Sequence, residues 1–140
     1  MNAVLQPLSR FLIAAIFIFA GITKIPAFEG MSGMLGQVGF PAPGVFLAIT
    51  LIIELVGGLM LLVGYKVRLA SIMLILFMIP ATLIFHVAAI DGTQQGQMEI
   101  IMTLKNLAII GALFHVIANG AGAYSVDTLK LREAKTSPAL

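Results

Sequence analysis

The sequence predicts an all-α integral membrane protein, one domain built as a bundle of four transmembrane helices. Three observations predict it. Of 140 residues, 60% are hydrophobic and only 10% charged, whereas a soluble domain carries about 25% charged residues. Mean hydropathy is +1.09. The apolar residues also gather into four continuous blocks of near-spanning length, about residues 8–23, 44–63, 69–90 and 100–118. Continuous runs of this kind exclude a β-barrel, which needs many short alternating strands.

The first block has no basic cluster before Phe11 and no small-residue cleavage pattern after Ala20, so it is expected to be a helix and not a signal peptide. The linker GYKVR between the second and third blocks is short enough to make those helices antiparallel neighbours. The connection KIPAFEGMSGMLGQVGFPAP is longer, and Phe28, Met31, Leu35 and Val38 recur in it at helical intervals. That spacing predicts a short interfacial helix ended by Gly39 and Pro41, capping the bundle. DGTQQGQME is polar and unpatterned, and reads as a solvated turn. After the fourth block, glycines break the chain, Ser125 is a candidate N-cap for a short helix, and KTSPAL reads as a frayed tail.

Basic residues set the expected orientation. Arg10, Lys66, Arg68, Lys130, Arg132 and Lys135 all fall on one side of a four-span chain, which makes both termini cytoplasmic. Topology thus accounts for the net charge of +2, and no nucleic-acid partner is called for. Cysteine is absent, which removes disulfide exchange, thiolate catalysis and cysteine metal sites from this chain; redox chemistry would need a bound cofactor or a partner protein.

Each block carries a polar stripe at helical spacing. These are Arg10, Ala14, Phe17, Gly21 and Lys24; Thr50, Glu54, Gly57 or Gly58, and Leu61; Ser71, Ile75, Met78, Thr82 and His86; and Lys105, Ala108, Ala112, His115 and Asn119. The stripes are expected to face one another, sheltering ionisable groups from lipid. Glu54 lies about 15 Å from either end of its block and Lys105 about 7 Å deep, so Lys105 is the expected partner of the carboxylate, with Arg10 and Lys24 next. An unpaired carboxylate at mid-bilayer costs several kcal/mol, which requires a partner, a proton or a water pocket. Pro80 is expected to kink its helix, the methionines to serve packing, and Asn106, about 100° from Lys105, to bridge helices. His86 and His115 lie at opposite ends of the bundle and cannot ligate one haem iron. No phosphate loop, nucleophile elbow, zincin motif or dinucleotide fingerprint is present, and no metal site is expected.

Six segments, FIFAGITKIPAF, GFPAP, ELVGGLMLLVGYKVRLA, PATLIFH, KNLAIIGAL and GAGAYSVD, resemble in order and spacing the DoxX family of small bacterial inner-membrane proteins. The resemblance implies a four-helix inner-membrane bundle with Lys24, Glu54, His86, Lys105 and Asn106 on the family's polar positions. GAGAY departs from an expected Gly-Pro-Gly turn without touching a polar position. The family name derives from likeness to subunits of a thiosulfate:quinone oxidoreductase, and this implies a redox-associated role by analogy.

Three roles stay open on the sequence. The first is a redox membrane subunit or accessory binding a quinone-like carrier, with Glu54 as the proton carrier and Lys24, Thr82, His86, Lys105 and Asn106 around the ligand. The second is a small transport unit, which four short helices without an inverted repeat would support only as a homo-oligomer. The third is a structural assembly factor in which the buried ion pair only sets helix register.

Overall fold

In the computed structural model, which describes residues 2–136, every regular element is helical: α1 (Asn2–Lys24), α2 (Phe28–Gln37), α3 (Pro43–Val63), α4 (Val67–Phe85), α5 (Gln94–Asn119) and α6 (Val126–Thr136), with a 3-10 turn at Val87–Ala89. Four of these, α1, α3, α4 and α5, are long and apolar enough to cross a membrane. Most of the expected tail KTSPAL lies outside the described residues, although α6 runs on through Thr136.

Small residues decide how closely α1 and α3 pack. A Cβ on Gly58 would meet Ile18 Cγ1 at 2.9 Å, and one on Gly21 would meet Leu55 Cδ2 at 2.6 Å. Without side chains there, the two backbones approach closely along most of α1. These contacts also set a stagger. Gly21 is level with Glu54 and Leu55, so α3 continues about 12 Å past the end of α1. That overhang is where α2 docks, with Leu35 buried. The helix stops as expected: Gly39 takes φ +79° and donates to Gly36 O, while Phe40 donates to Leu35 O. Phe40 then packs its ring 4.6 Å from Phe46 and 6.5 Å from Phe85, closing this end of the bundle.

The opposite end carries both ends of the described chain, the start of α1 and α6. The first block is expected from about residue 8, but α1 begins at Asn2, and Arg10 is 2% exposed beneath the segment after α5. Its Nη2 donates to the carbonyls of Tyr124 and Ala123, at 2.8 and 3.3 Å. Gly64 makes room: at φ +71° it sits where a Cβ would overlap Arg10 Nη1. Ser125 Oγ accepts the amide of Thr128 at 3.2 Å, the expected cap of α6.

The turn after α4 is shorter than the sequence reading had it. Thr93 accepts the amide of Gly96 at 3.1 Å, so α5 starts at Gln94 and the supposed solvated turn becomes its first turn and a half. Pro80 sits inside α4, which continues helical through it to Phe85.

Candidate functional site

Glu54 is 4% exposed in the middle of α3. Its partner is Lys24, not Lys105: Lys24 Nζ donates to Oε1 at 2.7 Å and Oε2 at 2.6 Å. The stagger of α1 explains the correction. Because Gly21 is level with Glu54, Lys24 stands only one turn above the carboxylate and reaches it directly. Depth counted along each block separately ranks Lys105 ahead of Lys24, because it takes no account of how far α1 is shifted along α3. Lys105 turns away, with its Nζ 3.1 Å from Met102 Sδ on the exposed side of α5.

A second polar link joins α4 and α5. Asn106 Nδ2 donates to Thr82 Oγ1 at 3.0 Å, and Thr82 is buried. Asn106 thus bridges helices as expected, and its amide oxygen makes no hydrogen bond among the described residues. Beyond it, His86 Nδ1 lies 2.6 Å from Glu99 Oε2. Glu99 was missed because it had been placed in a loop. It belongs to a stripe of Glu99, Thr103 and Asn106, spaced four and three apart, that was present in the sequence.

That stripe corrects the inward face of α5. Asn106, Ile110, Leu113 and Val116 point into the bundle, while Lys105, Ala108, His115 and Asn119 lie on the exposed side. His115, expected on the inward stripe, instead meets Asn119 on its own helix at 3.3 Å. The stripes read for the other three spans do face one another: Arg10, Ala14 and Phe17 on α1, Thr50, Glu54 and Leu61 on α3, and Ser71, Met78 and Thr82 on α4 are all buried.

Between these groups lies a cavity of about 420 Å³ in the half of the bundle away from the termini. Its walls come from α1 (Phe17, Ala20), α2 (Met31, Leu35), α3 (Phe46, Leu47), α4 (Phe77, Met78) and α5 (Ile109). Thr50, Lys24, Glu54, His86 and Asn106 reach it, and Lys105 stands at its edge. Thr50 gives its hydroxyl hydrogen to Leu47 O at 2.8 Å. Of the expected ligand-facing residues, Lys24, Glu54, His86, Asn106 and Lys105 line the cavity, whereas Thr82 sits behind Asn106 and orients it. Met31 and Met34, read as packing, are wall residues. α1 and α5 pack far more loosely than α1 and α3, and the cavity is lined from both α1 and α5, beside this weak seam.

Chemically, the site is an apolar chamber whose polar groups are few and convergent. Lys24 spends two N–H groups on Glu54 and keeps a third; His86 keeps Nε2, since Nδ1 faces Glu99. Such a chamber suits a hydrophobic molecule with a polar head.

Fold and site together define a multi-pass membrane protein with an ion pair beside a lipid-compatible cavity. The chain belongs to the DoxX family, whose pattern matches residues 5–87. Over 121 residues it is 31% identical to the inner membrane protein YqjF of Escherichia coli (strain K12), covering 86% of this chain and 88% of that protein. It is 26% identical over 125 residues to the inner membrane protein YphA of the same organism, covering 89% of each. No solved structure gives a significant match. The protein is a multi-pass inner-membrane protein.

Proposed function

We propose that this DoxX protein is a membrane subunit or accessory of a redox system, and that its cavity receives the head of a quinone-like carrier. One observation carries the reading: a chamber of about 420 Å³ with apolar walls collects Lys24, Glu54, His86 and Asn106, and the weak seam between α1 and α5 lies beside it. This volume lies within the range of about 300–1,000 Å³ typical of small-ligand pockets.

The residues fit such a head group. Lys24 is a donor suited to a carbonyl oxygen, His86 with its Nδ1–H on the Glu99 carboxylate presents Nε2 as an acceptor for a hydroxyl of the reduced head, and Asn106 is held in place by Thr82. Glu54 is the group that takes or gives a proton, kept within the chamber by Lys24. The apolar walls limit water around that exchange. A quinone supplies paired electron and proton chemistry when bound, and the chain itself supplies binding, orientation and a proton site. Electrons come from a partner protein.

Thermal unfolding of the purified protein with a soluble short-chain quinone analogue tests this. At a hundredfold excess over Kd, binding linkage adds about 2.7 kcal/mol of stability. His86→Ala and Asn106→Ala are expected to reduce the shift, while Lys105→Met, at the edge, reduces it least. An unshifted wild type at saturating analogue rules the carrier reading out.

A further inference from the structure

A second cavity, of about 710 Å³, opens at the end of the bundle that carries the termini, between the start of α4, the end of α5 and α6. Its charged lining is Lys66, Arg68 and Lys130, with Asp127 as the acid. The carboxylate is already engaged: Oδ1 accepts the amide of Lys66 at 2.8 Å and Oδ2 that of Val67 at 3.3 Å. Asp127 therefore caps α4. Among the described residues, none of the three cations makes an ion pair.

Two of these cations share one aromatic neighbour. Lys130 Nζ lies 4.7 Å and Lys66 Nζ 5.5 Å from the centroid of the same Tyr65 ring. A ring attracts one ammonium through its quadrupole, but two like charges beside one ring repel each other. Arg68 adds a third cation, its Nε donating to Ile117 O at 3.1 Å. Three cations against one occupied carboxylate leave the cavity in need of an anion.

Apolar residues say which kind. Leu69 and Leu131 line the same cavity and are 48% and 64% exposed, and Leu129 on α6 is 58% exposed. On α6, Asp127, Lys130 and Leu131 are spaced three and four residues apart and share the face that lines the cavity, so a cation and an apolar side chain are presented there together. A free phosphate would use the cations and leave the leucines in water. A phospholipid uses both.

We propose that this cavity binds the phosphate head group of an anionic phospholipid, with Lys66, Arg68 and Lys130 around the phosphate and Leu69 against the start of an acyl chain. The site lies at the opposite end of the bundle from Glu54 and does not depend on the carrier reading.

The test is titration of the delipidated, detergent-purified full chain with phosphatidylglycerol, phosphatidylcholine or inorganic phosphate, followed by native mass spectrometry and thermal unfolding. Phosphatidylglycerol is expected to remain bound where phosphatidylcholine is lost. Lys66→Ala and Lys130→Ala are each expected to weaken it about fivefold, and the double variant about 25-fold. Both lysines are exposed, so the variants fold, and circular dichroism checks this. Lys105→Ala, at the other end, is expected to bind as wild type does. Equal retention of the two lipids, or unchanged phosphatidylglycerol affinity in the double variant, overturns the proposal. Stabilisation by inorganic phosphate equal to that by phosphatidylglycerol overturns the lipid assignment and leaves a soluble-anion site.

Discussion

Lys24 meets Glu54 from one turn above, with its Nζ 2.7 and 2.6 Å from the two carboxylate oxygens, because the glycine one turn before Lys24 lets α1 lie flush against α3. The lysine side chain is 21% exposed and the glutamate 5%, so the pair is buried at its acidic end and reaches the cavity at its basic end. A pair in that position holds the helices in register and stays within reach of a ligand.

Removing one partner strands the other in low dielectric. Glu54→Leu or Lys24→Met is expected to cost about 3 kcal/mol, with the glutamate change the milder because the Lys24 ammonium it leaves behind can still find water. The double variant is expected to recover most of that loss. Thermal unfolding in detergent measures all three, with Lys105→Met as a control predicted to lie within about 0.5 kcal/mol of wild type. Additive losses for the pair, or a large loss for Lys105→Met, would contradict the arrangement.

The glycines separate close packing from open space. On Gly58, a side chain would meet Ile18 Cγ1 at 2.9 Å and the Ile18 amide nitrogen at 3.3 Å, and the second of these is backbone that cannot turn aside. Gly58→Val is therefore expected to destabilise by about 1–3 kcal/mol. Gly30 and Gly33 in α2 have nothing within 4 Å of an added Cβ. Alanine at either is expected to stabilise α2 by about 0.5–1 kcal/mol through helix propensity. Melting temperatures that move the same way for both sets would sink the stagger argument.

Much of this was legible before the fold was known, and the failures share a cause. The inward stripes of α1, α3 and α4 follow from residue spacing, because each has a single polar face. On α5 there are two polar faces: Lys105, His115 and Asn119 on one, Glu99, Thr103 and Asn106 on the other, their centres about 165° apart. Charge drew the reading to the first, yet the α4–α5 hairpin turns the second inward through Asn106 and Thr82. The partner of Glu54 was misread for a non-local reason. How far one helix slides along another depends on where glycines on both chains coincide, and no single segment encodes that. Glu99 was within reach, since Thr93 is a helix-capping residue and Glu99, Thr103 and Asn106 continue its helix.

Asp91 gives a pH-dependent handle outside the membrane-spanning segments. The Thr93 hydroxyl and amide, at 2.6 and 3.0 Å from Oδ1, hold its carboxyl below the ordinary value of 3.8. A depressed carboxylate adds stability that is complete above the unfolded value and is lost as pH falls through the folded one. The contribution should therefore fade only in the acid range below 3.8. Carboxyl NMR titration of the protein checks this. Thr93→Val removes the hydroxyl donor and is expected to raise the Asp91 midpoint toward 3.8, while also uncapping α5. A midpoint that stays in place would show that the turn does not hold the carboxylate.

The last prediction is the orientation of the bundle. Arg10, Lys66, Arg68, Lys130 and Arg132 belong to the end that carries the termini, where Asp127 and Glu133 are the described acids. The other end has Lys24 and Lys105 against Glu29, Asp91 and Glu99, and Lys24 is bound to Glu54 within the bundle. Cationic flanks are retained on the cytoplasmic side during insertion, while acidic residues contribute little, so the terminus-bearing end is expected to be cytoplasmic. The asymmetry does not rest on Arg10 alone, because the α3–α4 hairpin and α6 each bring two further cations to the same end. Reporter fusions after Leu140 and at Gly92, the latter in the short turn before α5, report the two sides independently. The C-terminal fusion is expected to be active only with a cytoplasmic reporter, and the Gly92 insertion only with a periplasmic one. Periplasmic activity from the C-terminal fusion would invert the bundle and place the Glu54 cavity in the cytoplasmic half of the bilayer.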